Sequence, residues 1–317
     1  MIRIREYQPV DAEAWDTLIF DSNVSSFLHS RRFLAYHGAR FVDRSLVALD
    51  ADGNLRAVFP AAELPGDSST IVSHPGATFG GVIHDGNVCG NLMCELLDSI
   101  IRYYAEKGFR RLLYKKVPSF YLKMPDMDDG YGLFCLNAAR VRCDLTATID
   151  LRCPGKISAR RRRGQKKADR AGIYISRDGC YLEQYWQVLQ ENLKEQYDAT
   201  PVHTSAEISM LARTFPEWIR FLFAILDSKV LAGTVLFETP TVSHAQYIAS
   251  SSTGRAIGAL DAVFSHAIRE SAVRGKWYFD FGISNENEGR FLNEGLYKFK
   301  REFGAGGALH EFFEVRL

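Results

Sequence analysis

The feature that most constrains this chain is an order of elements that occurs twice. In the first half, helical patterns at 11–21 and 30–37 precede a hairpin whose arms are 45–50 and 55–63, with 51–54 as its turn. A short apolar strand at 69–73 follows. Leu92, Leu96, Leu97, Ile100, Ile101 and Tyr104 then recur at helical spacing and predict a helix over 91–107. Gly108 stops it, and 111–115 reads as the next strand. The second half repeats the order: helices at 181–197 and 205–215, hairpin arms at 220–226 and 230–238, and a strand at 244–250. A helix at 259–274 and a strand at 277–281 complete it. Residue identity between the halves is low, so the repeat is one of pattern. It predicts an α/β (α+β) protein of two tandem domains, each a mixed central sheet flanked by helices. Arg152-Cys-Pro-Gly-Lys156 interrupts the pattern, which puts the expected boundary between 1–152 and 153–317.

A chain of 317 residues, 46% of them hydrophobic, can build one large core or two moderate ones. Its net charge of +1 means that any phosphate or nucleic-acid binding must come from a local patch. The six cysteines form no Cys-x-x-Cys pair and no cluster with histidine, so no metal site is expected. The first residues carry no apolar targeting segment, and no run is long enough to span a bilayer. A cytoplasmic protein with free thiols is the expectation.

The densest charge feature is Arg160-Arg-Arg-Arg-Gly-Gln-Lys-Lys-Ala-Asp-Arg170, within a helix ending near Ala171 with Gly172 behind it. Arg163, Lys166, Lys167 and Arg170 share a face of that helix. The face is either solvated surface or a contact for phosphate, and Arg160, Arg163 and Lys167 are the candidates for the second role. Such a contact would suit a phosphorylated or nucleotide-linked small-molecule acceptor, or a tRNA acceptor stem. His74 lies in Ser73-His-Pro-Gly-Ala-Thr-Phe-Gly-Gly81, where glycines permit close approach of a ligand. It is a further phosphate-binding or acid/base candidate, and a turn-stabilising hydrogen bond is the competing reading, as for His29. No Gly-x-Ser-x-Gly elbow, Walker loop or His-Glu-x-x-His motif is present.

Near the end, Gly295-Leu-Tyr-Lys-Phe-Lys-Arg-Glu-Phe-Gly304 places Lys298, Lys300 and Arg301 among aromatic residues, soon after a strand that runs into Asp280-Phe-Gly282. A cation at a strand end can stabilise developing negative charge. The alternative is an amphipathic helix with Phe299 and Phe303 in the core and its lysines in water.

The repeated pattern, Arg160 to Gly172, Asp280-Phe-Gly282 and the 295–304 segment together resemble the FemABX branch of the GNAT acyltransferase superfamily, in its compact FemX-type layout. The resemblance implies two GNAT-like domains in one chain. It also implies transfer of an aminoacyl group from tRNA, or an acyl group from acyl-CoA, onto an amine, with no metal. The family's Phe-Lys pair falls on Phe299 and Lys300, and the implied role of Lys300 is to stabilise the oxyanion. Asp280 is a candidate base. Thr253-Gly-Arg-Ala-Ile-Gly-Ala259 resembles the coenzyme A loop of GNAT enzymes through Arg255 and Gly258, although Leu260 departs from its last position. The expected function is N-acylation of a cell-envelope or polysaccharide precursor such as an amino sugar, with acyl-CoA narrowly preferred as donor. Aminoacyl-tRNA-dependent transfer to a peptidoglycan-type precursor is the alternative. A catalytically silent module binding RNA or a glycan is the third reading.

Overall fold

The computed structural model describes residues 2–317 and divides into two compact units. The first comprises 1–145, 285–291 and 309–317; the second comprises 146–284 and 292–308. In chain order the early elements are β1 (Arg3–Glu6), α1 (Ala12–Asp21), α2 (Arg31–Ala35), β2 (Leu46–Leu49), β3 (Leu55–Phe59), β4 (Ala62–Leu64) and β5 (Asp67–Val72). They continue with β6 (Ile83–His84), α3 (Asn91–Glu106), β7 (Arg111–Lys115), α4 (Asp128–Cys135) and β8 (Ala139–Asp150). Then come α5 (Ala159–Arg170), β9 (Tyr174–Ser176), α6 (Leu182–Tyr197), α7 (Ser205–Thr214), β10 (Ile219–Leu226), β11 (Lys229–Glu238) and β12 (Val242–Ser250). The chain closes with α8 (Ser252–Ile257), α9 (Ala259–Val273), β13 (Tyr278–Ile283), β14 (Asn285–Glu286), β15 (Phe291–Leu292), α10 (Glu294–Arg301) and β16 (Gly306–Arg316).

The first unit holds a sheet in the order β1-β2-β3-β6 and strands in the order β4-β5-β7-β16. The expected hairpin arm 55–63 is therefore two strands. Pro60 has no N–H to donate, so β3 ends at Phe59 and the chain restarts as β4 beside β5. The core gathers Leu46, Phe59, Ile71, Leu96, Ile100 and Tyr114. Of these, Leu96 and Ile100 lie one helical turn apart on α3, as its apolar spacing predicts.

The second unit orders its strands β8-β13-β12-β11-β10-β9. The meander β10-β11-β12 is antiparallel, whereas β12 and β13 run parallel, joined by the crossover helix α9. Val263, Phe264 and Ala267 of α9 pack on Phe279 and Phe281 of β13 and on Phe303. The long strands β8 and β16 have no counterpart in the sequence reading. Residues 252–257, read as a loop, form the short helix α8, capped by the Ser251 hydroxyl, which accepts from the Gly254 N–H at 3.0 Å. No helix among the described residues is long and apolar enough to cross a membrane.

A candidate active site at the fork of two parallel strands

β12 and β13 pair only at Val242–Tyr278, Ser243–Phe279 and His244–Asp280. Beyond that point β12 runs on to Ser250 and β13 to Ile283, so the sheet forks at His244 and Asp280. Past the fork, β12 carries a bulge at Gln246, which falls between Ala245 and Tyr247 in the ladder with β11. A bulge leaves a residue out of the ladder and re-aims its backbone, as is common beside reactive sites.

Lys300 reaches the same place from α10. The Asn293 side chain caps that helix by accepting from the Leu296 N–H at 3.0 Å. Lys300 is buried, and its Nζ donates to the carbonyls of Gly282 at 3.0 Å and Ile283 at 2.6 Å. Gly282 has φ +74°, a conformation open to glycine at little cost. An ammonium has three hydrogens, so one remains for a ligand. Burial pulls the Lys300 pKa down to about 8, with the nearby Asp280 acting in the opposite sense.

Asp280 is fully buried. Its Oδ1 accepts from the Thr146 hydroxyl and from the Thr148 hydroxyl at 2.9 Å, and its Oδ2 pairs with His244 Nδ1 at 2.7 Å. A carboxylate held this way is fixed and shielded, which is unlike a base open to substrate. The sequence reading singled out Asp280 and passed over His244, because the register that brings β12 against β13 leaves no local signal.

Phe299 contributes through packing. Its ring lies under the Arg161 guanidinium at 4.8 Å and against Phe303 at 5.4 Å. Arg161 is buried and sits 3.0 Å from both Asp261 of α9 and Glu302, tying α5 to α9 and to the end of α10. The basic run therefore divides. Arg161 turns inward, while Arg160, Arg162, Arg163, Lys166, Lys167 and Arg170 are exposed.

Gly258 caps the start of α9 with φ +78°. A Cβ there would lie 2.4 Å from the Gly164 carbonyl oxygen of α5, and a Cβ on Gly164 would meet the Asp261 carboxylate at 2.3 Å. The first turn of α9 is thus covered by the chain's own helix and carries an acidic side chain. Arg255 donates to the Ser250 carbonyl at 2.8 Å and lies 3.6 Å from Glu195.

His74 belongs to the first unit. It is buried, with φ +56°, beside His37 at 5.2 Å and Phe41 at 5.5 Å between ring centres. Burial, with repulsion from His37 and Lys115, lowers its pKa to about 3. The parallel pair β5–β7 of this unit is closed by its own chain. Lys115 Nζ donates to the carbonyls of His74, at 3.2 Å, and Ala77, and the Gly80 N–H donates to the Lys115 carbonyl at 2.8 Å. The glycines of 73–81 serve that packing: a Cβ on Gly76 would strike His37, one on Gly80 the Ser73 carbonyl, and one on Gly81 the Tyr114 ring. Among the described residues, no group of three or more His, Cys, Asp or Glu is placed to hold a metal ion.

Residues 155–301 match the family model described as the acetyltransferase (GNAT) domain. No curated protein matches the chain. Among solved structures, FemX superposes with a TM-score of 0.71 at 12% identity, over 99% of this chain and 97% of its own. L-PGS from Bacillus licheniformis gives 0.64 at 14% identity, over 98% and 93%. The C-terminal domain of a putative lysylphosphatidylglycerol synthetase from Agrobacterium fabrum gives 0.63 at 14%, over 96% and 91%. The resemblance read from the sequence, and the two-domain mixed α/β architecture it implied, hold at the level of fold.

Proposed function

We propose, for a chain that carries a GNAT acetyltransferase domain and the FemX fold along its length, that it is an N-acyltransferase using an aminoacyl ester of tRNA. The observation that carries the transferase reading is Lys300, a buried cation with two hydrogens bound to the last carbonyls of β13 and one to spare at the fork. An acyl carbonyl entering the fork would accept that third hydrogen. As an amine attacks, charge gathers on the carbonyl oxygen, and a preorganised ammonium in a dry site stabilises it more than it stabilises the neutral ester. Arg161 and Phe299 hold α10 in place and so set where Lys300 stands.

The choice of donor is supported by α5. Its exposed arginines and lysines suit a polyphosphate backbone, each contact releasing counterions. Its inner side covers the start of α9, where Gly258 touches Gly164 and Asp261 adds negative charge, so a pyrophosphate finds no open amide cradle there. FemX and L-PGS, the structural neighbours, are consistent with this choice at the level of fold. The acceptor is the amine of a cell-envelope precursor.

The second reading is transfer from acyl-CoA onto an amino sugar of a polysaccharide precursor, which the match to an acetyltransferase domain favours. Purified protein should be incubated with bulk aminoacylated tRNA or with acetyl-CoA, each with glucosamine and with a lysyl peptide as acceptors. Amide formation from charged tRNA, absent in Lys300→Met, supports the proposal. Amide formation from acetyl-CoA alone replaces it with the second reading. RNA binding without transfer from either donor reduces the protein to a silent module.

A further inference from the structure

Resting on the acyltransferase reading, we propose that His244 is the catalytic proton acceptor of the transfer and that Asp280 is its positioning residue. The geometry separates this histidine from the other seven. His29, His37, His74, His84, His203 and His310 are buried, and His266 lies in an outer cluster with Arg177 and Glu270. The His244 side chain keeps 12% of its surface open, whereas Asp280 behind it keeps none. It stands at the last paired position before β12 and β13 part, where an acyl carbonyl would enter.

The hydrogen bonds set its proton inventory. Asp280 Oδ1 is occupied by Thr146 and Thr148, and Oδ2 faces His244 Nδ1 at 2.7 Å. A carboxylate only accepts, so Nδ1 carries the hydrogen, and in the neutral ring Nε2 is left with the lone pair. The groups around the ring are Asp280 from β13, Thr146 and Thr148 from β8 behind the carboxylate, and Phe237 opposite on β11. Lys300 of α10 donates to the Gly282 carbonyl at 3.0 Å, and the Cα of the same glycine faces the ring; a Cβ there would lie 3.3 Å from His244 Cε1. Base and cation thus both adjoin one glycine, an arrangement that lets one group take a proton while the other steadies the oxygen.

The amine nitrogen attacks the carbonyl carbon, and the carbonyl π pair moves to the oxygen facing Lys300. Nε2 removes one hydrogen from the new ammonium. The oxyanion re-forms the carbonyl, the carbon–oxygen bond to the donor breaks, and the departing oxygen takes the hydrogen from Nε2. The products are an amide and a free hydroxyl, and the imidazole ends neutral.

The experiment uses the full chain with whichever of charged tRNA or acetyl-CoA supports wild-type amide formation. His244→Gln should lower kcat on the order of 100-fold or more, leave KM within a few fold, and abolish the acid limb of the kcat/KM–pH profile. His244→Gly should regain part of the lost rate with added imidazole. Asp280→Asn should lower kcat at unchanged KM, because an amide can present the wrong hydrogen-bonding partner to Nδ1. Should Asp280→Asn not fold, the His244 variants decide alone. A His244→Gln enzyme that keeps wild-type kcat and its acid limb overturns the inference and leaves the acyltransferase reading standing. Wild-type protein silent with both donors overturns that reading, and this inference with it.

Discussion

Gly258 and Gly164 touch: the bare Cα that begins α9 faces the carbonyl oxygen of Gly164, and a Cβ would stand 2.4 Å from it. The contact explains a glycine that from sequence alone resembles part of a phosphate loop. Gly258→Ala meets both that oxygen and a left-handed backbone, φ +78°. The backbone alone costs about 1–2 kcal/mol, and the collision adds to it. The expected result is a melting temperature lower by several degrees, read by calorimetry. Retained stability with selective loss of acetyl-CoA binding would restore the glycine to a donor-binding role.

Arg161 and Arg163, two residues apart, should behave in opposite ways. Arg161 is buried between Asp261 and Glu302 over two aromatic rings. Removing it strands two carboxylates, and breaking buried pairs of this kind costs about 3–5 kcal/mol, so Arg161→Ala should unfold early in urea. Arg163 and Lys167 are exposed. Arg163→Glu with Lys167→Glu should leave stability within about 0.5 kcal/mol and weaken tRNA binding. It should also flatten the dependence of log affinity on log salt by about 0.7–0.9 for each lost phosphate contact. A salt slope equal to wild type would count against nucleic-acid contact at this face.

Lys300 makes activity and stability move oppositely with pH. Its folded pKa of about 8 lies below the ordinary lysine value of 10.5. As pH rises through 8 the native cation is lost, so turnover should fall. The unfolded chain still binds that proton up to about 10.5, so this lysine's contribution to stability rises between 8 and 10.5. Lys300→Met should lose roughly 100-fold to 1000-fold in kcat, and its stability should lack that alkaline rise. Denaturant melts from pH 7 to 10 on both proteins test the pair of effects.

The sequence was most legible where periodicity reports packing. The spacing of Leu92, Leu96, Leu97 and Ile100 marks α3, and the bounds of β7 match the reading at both ends. The choice between Lys298 and Lys300 comes from the Phe-Lys pair of the family resemblance; in the structure Lys300 is buried and Lys298 exposed, as neighbours two apart on a helix occupy different faces. What stayed hidden was relational. His244 acquires its partner only through a parallel pairing with a strand 36 residues away. Arg161 cannot be told from its neighbours in a run of four arginines until α5 is docked. Gly76, Gly80 and Gly81 look like room for a ligand, and the room is taken by His37, Ser73 and Tyr114.

His74 and His29 should make the protein sensitive to mild acid. Both are buried; burial lowers His74 to about 3 and His29 to about 4, from 6.5. Above pH 6.5 each is neutral in both states and neither affects the balance. Below it the unfolded chain takes up a proton that the native state refuses, so stability falls by about 1.4 kcal/mol per pH unit for each group. The decline runs from 6.5 down to the two folded values. His74→Asn removes one titrating group while keeping a residue that tolerates the positive φ of +56°. Urea melts of wild type and variant between pH 7 and 4.5 should show the variant's slope reduced by about one proton, with kcat/KM for amide formation at neutral pH unchanged. An unchanged slope would mean that His74 is protonated in the native state, and a lost kcat would return it to the list of groups that meet substrate.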